Sequence, residues 1–166
     1  MFTLKPISRD SVDGSLAKAE RYRLLNEPNE AESICRDILE VYPANREARV
    51  SLILALTDQM HEDKSAFSNA LSVISELVSE YDRVYYSGIA WERRAKARYA
   101  AATKGSASDA YDWLVKALGL FEAAERVRPT GNDDAILRWN ACARLIMRDR
   151  HLVPVVEERG EPLLLE

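Results

Sequence analysis

"AESICRDILEVYP", residues 31–43, and "ALGLFEAAERVRP", residues 117–129, share one frame. Each opens on Ala, has Cys or Phe four residues on, Ile or Ala three later and Pro five after that, with Val two residues before the proline. Steps of four and three put the first three side chains on one helix face. A small residue on that face lets a neighbouring helix come close. The proline lacks an N–H and clashes with the preceding turn, so the helix stops and the chain reverses. A chain that uses this frame twice is predicted to stack similar helix hairpins in series.

The rest of the 166 residues agrees with that reading. There are only six Gly and six Pro, and Ala, Leu, Arg and Glu are abundant, which favours helix. The pattern predicts an all-α chain of about seven helices: from 13–15 through "LAKAERYRLL", then 28–42, 45–60, 65–81, 85–103, 108–128 and 132–149. Asn45 suits an N-cap, Pro28 a first helical position, and Gly105 a turn after a helix end. Gly88 is expected to break or delay the fifth helix. Residues 1–12 are expected as an N-terminal arm, 13–150 as the helical domain and 151–166 as a C-terminal tail, in which "LVPVV" is the only strand-like run.

Cys35 and Cys142 lie far apart within helical segments, which suits two buried thiols in a reducing compartment rather than a disulfide scaffold. The N-terminal stretch has no apolar targeting core, and nothing approaches the about 20 apolar residues of a membrane span. Cytoplasm is the expected location. The net charge of -4 argues against a general nucleic-acid coat.

The two frames resemble the second helix of a tetratricopeptide (TPR) repeat, through Ala31, Cys35, Ile38 and Pro43, and again Ala117, Phe121, Ala124 and Pro129. Ala19 and Tyr22 fall where the first TPR helix keeps a small and an aromatic residue, and Trp91 with Ala95 is similar to that helix in many repeats. The resemblance covers roughly residues 12–148 and implies a right-handed superhelix of antiparallel helix hairpins. It departs from the family in spacing. The two prolines are 86 residues apart, two units of 43 rather than 34, so enlarged middle hairpins are expected. Ile53 stands where the family keeps a small residue, and Asp82 where a proline would close the fourth helix.

No catalytic constellation emerges. His61 and His151 have no metal-ligand spacing to a cysteine or to each other, and no phosphate-loop, dinucleotide or nucleophile-elbow motif occurs. The expectation is a protein that is not an enzyme, with no cofactor and no metal. Charge is more specific. Asp58, Glu62, Asp63, Glu76, Glu80 and Asp82 precede a run of Arg83, Arg93, Arg94, Lys96, Arg98 and Lys104, so helices four and five carry opposite sign and can pair across their interface. The TPR resemblance implies a concave groove lined by the first helix of each hairpin. The positions it implies are Leu16, Glu20, Arg23, Leu54, Thr57, Arg93, Lys96, Tyr99, Arg138 and Arg144. Its cationic second half favours an acidic peptide segment of another protein, with Arg93 and Arg138 forking onto carboxylates and Tyr99 supplying rigid apolar area. Trp113 and Trp139 are expected in the core. The alternatives are RNA binding through the basic helix 83–104 and a self-assembling homo-oligomer.

Overall fold

The computed structural model describes residues 2–154. After a short 3-10 turn at Arg9–Ser11, seven α-helices follow: α1 Val12–Leu24, α2 Pro28–Val41, α3 Arg46–Asp58, α4 Ala66–Ser75, α5 Glu80–Ala100, α6 Ser106–Arg126 and α7 Asp134–Arg148. No strand occurs among the described residues, so the chain there is all-α. The part of the tail beyond Pro154, including the end of "LVPVV", lies outside the described residues. Each helix packs on the next, and α3 also touches α1 and α5.

The spacing differs from the expected one. α1, α3 and α5 begin at residues 12, 46 and 80, a step of 34 each time, whereas α7 begins 54 residues after α5, at 134. The first two hairpins are therefore of ordinary length, and only the third is enlarged. Its two helices have 21 residues each. The expected enlargement of several middle hairpins is corrected accordingly.

Local chemistry sets most of the boundaries. Asn45 accepts a hydrogen bond from the Ala48 N–H at 2.8 Å and caps α3. Asn26 and Gly105 adopt positive φ, at 60° and 77°, in the turns after α1 and before α6. The boundary between α4 and α5 falls elsewhere than predicted. α4 ends at Ser75, and the Ser79 hydroxyl accepts from the Asp82 N–H at 3.2 Å, starting α5 five residues before the predicted 85. Tyr81 and Asp82 belong to the first turn of α5.

Gly88 neither breaks nor delays α5. It lies inside the helix where the Phe121 ring of α6 presses on the backbone, and a Cβ there would sit 2.6 Å from Cε1 of that ring. Glycine is needed for a close approach, not for a turn.

Both frames are buried. Ala31, Cys35 and Ile38, and likewise Ala117, Phe121 and Ala124, have no exposed surface. Ala31 and Cys35 pack with Ala19 of α1 and with Leu52, Ala55 and Leu56 of α3. Ala117 and Phe121 pack with Ile89 and Ala95 of α5 and Cys142 of α7. In each copy the even-numbered helix is wedged between the odd-numbered ones before and after it. The interior is thus a row of small clusters between helix layers.

Trp113 and Trp139 are only partly buried. The Trp139 indole N–H donates to Glu122 at 3.0 Å, and Trp113 stacks on the Arg94 guanidinium, 4.1 Å from the ring centre. These rings cover the core rather than fill it. Burial pushes the Cys35 and Cys142 thiols up to about 12, as inert core positions require.

Candidate functional site

The odd-numbered helices bring their charged side chains together in two groups. In the first, Asp58 at the end of α3 takes two arginines. Arg23 of α1 donates through Nε to Oδ2 at 2.8 Å, and Arg93 of α5 pairs with Oδ1. Arg93 also donates to Thr57 Oγ1 at 2.9 Å, while the Thr57 hydroxyl donates back to the Leu54 carbonyl at 2.8 Å. Arg23, Leu54, Thr57 and Arg93 therefore form one cluster. Burial pulls the Arg93 guanidinium below its ordinary range; Asp58 opposes this, and the nearby Arg23 and Arg138 charges add to it.

The second group centres on Glu92, whose side chain is 1 % exposed. Lys96 on the same helix pairs with its Oε1, and Arg138 of α7 reaches the same oxygen at 3.4 Å. Oε2 has no hydrogen-bond partner among the described residues. A buried carboxylate so placed fixes the two cations that hold it and is costly to leave alone. Beside it a cleft of about 570 Å³ opens between α5 and α7, lined by Lys96, Tyr99, Ala100, Ala141, Arg144, Leu145 and Arg148. The Tyr99 hydroxyl donates to Asp149 at 2.7 Å, which ties the α5 side of the cleft to the residue after α7. Among the described residues, neither Arg144 nor Arg148 has a carboxylate partner.

Of the ten positions that the sequence singled out, Lys96, Tyr99 and Arg144 share this cleft, and Arg138 adjoins it through Glu92. Leu16 does not belong with them. It is buried with Val12, Ile38 and Ala48, between α1, α2 and α3, and so serves packing. Thr57 is buried and acts as a rest for Arg93 rather than as an open contact. Glu20 is exposed on α1. Arg148 was missed as a lining residue. It lies one helical turn beyond Arg144, and that spacing could have found it.

The expected pairing of helices four and five by charge is not what forms. Their charges pair chiefly with other helices: Arg46 of α3 grips Asp82 through Nε and Nη2 at 2.6 and 2.7 Å, Arg49 of α3 meets Glu76, and Arg98 of α5 meets Asp109 of α6 at 2.8 Å. The reason is the early start of α5, which turns Asp82 toward α3 instead of along α4. Most cations of the basic run are thus engaged. Arg83 donates to the Leu77 and Val78 carbonyls, and Arg94 lies over the Phe67, Trp91 and Trp113 rings.

No cluster of metal-ligating residues and no helix long and apolar enough to cross a membrane occurs among the described residues. Comparison with models of known families, with curated proteins and with solved structures gives no match.

Proposed function

We propose that this chain is a TPR-like adaptor that binds an acidic peptide segment of another protein along the face of its odd-numbered helices. The observation that carries the reading is an excess of cations on that face. Asp58 is shared by Arg23 and Arg93, Glu92 by Lys96 and Arg138, and Arg144 and Arg148 add two further charges over an apolar floor. A peptide carboxylate entering between α5 and α7 meets guanidinium groups that fork onto it, while its apolar side chains rest on Tyr99 and Leu145. Recognition is the whole mechanism: the groove is already formed and no bond changes.

The step of 34 residues between α1, α3 and α5 supports the repeat reading, since 34 is the unit length of the TPR family. The enlarged third hairpin, with two helices of 21 residues, departs from it. Buried, high-pKa thiols fit a reducing compartment such as the cytoplasm.

The test is a display library of random twelve-residue peptides panned on the full chain. Selected peptides should be acidic with one or more large apolar residues, and Arg144→Glu with Arg148→Glu should weaken them by about 10-fold or more, as loss of two charge-assisted contacts implies. Neutral or basic selections, or affinity indifferent to the pair, would reject the groove. A salt-steep mobility shift with a random oligonucleotide, abolished by the same pair, would favour RNA instead.

A further inference from the structure

α7 is half of a hairpin. It packs on α6 and is followed by no helix among the described residues. Leu137, Ala141, Arg144 and Arg148 fall at steps of four, three and four, so they form one stripe along it, and all four are exposed. Leu137 keeps 63 % of its surface open. Stacked helical arrays need their last repeat covered or polar; this stripe is part apolar and part cationic.

The chain itself offers a segment of complementary chemistry. Residues 155–166 read "VVEERGEPLLLE", four glutamates against the single Arg159, with the apolar run Leu163, Leu164 and Leu165. The cleft sets Lys96, Arg144 and Arg148 around Tyr99 and Leu145. The tether is short. Asp149 already accepts from Tyr99 in the cleft wall, and Leu152 is buried against the α5–α6 cluster. Twelve residues reach up to about 40 Å when extended, while the α7 wall from Ala141 to Arg148 is only about 12 Å long.

We infer that residues 155–166 dock in the α5–α7 cleft of their own chain, leucines on Tyr99 and Leu145 and glutamates among Lys96, Arg144 and Arg148. The tail then competes with the acidic peptide proposed above, and a partner must displace it. Only this competition rests on the groove reading; the docking itself does not.

The test uses full chains and a fluorescent synthetic peptide of residues 155–166 as the probe, read by anisotropy at low salt. One chain is unaltered; a second carries Leu163→Ser, Leu164→Ser and Leu165→Ser; a third adds Arg144→Glu and Arg148→Glu to those. A tethered tail has an effective concentration of about 1 mM, so with a free-peptide Kd of about 100 µM it weakens probe binding by about 10-fold. The serine chain should therefore bind the probe about 10-fold tighter than the unaltered chain, and the third chain should lose it. Equal affinity in the first two chains, or no binding by the serine chain, overturns the inference. So does a concentration-dependent dimer that the serine changes abolish, which would assign the tail to a second copy. If peptides selected from the random library bind while the 155–166 probe does not, the tail inference falls and the groove stands; if neither binds, both fall.

Discussion

Replacing Gly88 by alanine tests the packing of α5 on α6. The new methyl would lie 2.6 and 2.8 Å from two carbons of the Phe121 ring and 3.1 Å from a third. The ring cannot retreat easily: Phe121 is completely buried, and Tyr85 lies against it with ring centres 5.9 Å apart. Overpacking of this kind costs about 1–3 kcal/mol, and two contacts under 3.0 Å put it at the upper end. Alanine returns about 1 kcal/mol because it is the better helix former. The net loss is about 2 kcal/mol, a fall in Tm of about 4–8 °C for a chain of this length.

Gly119→Ala is the matched control. It lies within α6, is exposed, and has no atom within 4 Å of its added Cβ. It should gain about 1 kcal/mol from propensity alone. Urea unfolding followed by far-ultraviolet circular dichroism reads both changes. Phe121→Leu should relieve the Gly88→Ala variant, giving a coupling of more than about 1 kcal/mol in the double-mutant cycle. If Gly88→Ala stabilises as Gly119→Ala does, Phe121 does not press on that backbone and the α5–α6 packing described above is wrong.

Arg46→Ala strands the Asp82 carboxylate, which is 5 % exposed, and should cost about 2 kcal/mol in urea unfolding; the Arg46→Ala, Asp82→Ala pair should recover part of that loss. The figure is kept below that of a wholly buried pair because Arg46 itself is 57 % exposed. Ala124→Leu places a larger side chain among Tyr81 and Ala135 and should cost about 1–3 kcal/mol; an unchanged Tm would show that Ala124 is not at a helix contact. The Tyr99 hydroxyl, and after it the His151 N–H, hold the Asp149 carboxyl below the usual carboxylate range. A lowered folded-state value contributes stability above the ordinary carboxylate value and loses it as pH falls through the folded one. Tyr99→Phe should therefore move the Asp149 carboxyl titration upward by NMR, and an unmoved midpoint would exclude the hydrogen bond.

Elements whose signals are local were legible in the sequence. The proline-ended frames placed α2 and α6, and Asn45 announced α3, because a cap or a breaker acts within a few residues of itself. The α4–α5 boundary was not legible. Val73, Leu77 and Tyr81 continue one helical period across the break, and Leu77 and Tyr81 are both buried, so the apolar pattern shows no gap. The signal was Ser79, one serine among several. Gly88 misled because its partner, Phe121, is 33 residues on, and a local rule sees only a helix breaker. In the candidate site, Arg23, Arg93, Lys96, Arg138 and Arg144 were named from the resemblance, and Arg148 was not. The carboxylate partners Asp58 and Glu92 were not named either, since pairing between alternate helices depends on helix phase. The same cause misplaced Leu16: a shift of one residue about α1 separates an outward side chain from an inward one.

The carboxylate of Asp58 works as a ruler. Arg23 and Arg93 each stand 35 residues from it in sequence, one on either side. Inserting or deleting a whole hairpin between α1 and α5 would leave one guanidinium without its counter-ion, although every nearest-neighbour surface could still be rebuilt. The gauge of the first three odd helices is thereby locked. Beyond α5, where no such shared carboxylate spans three odd helices among the described residues, the regular step of 34 gives way to 54.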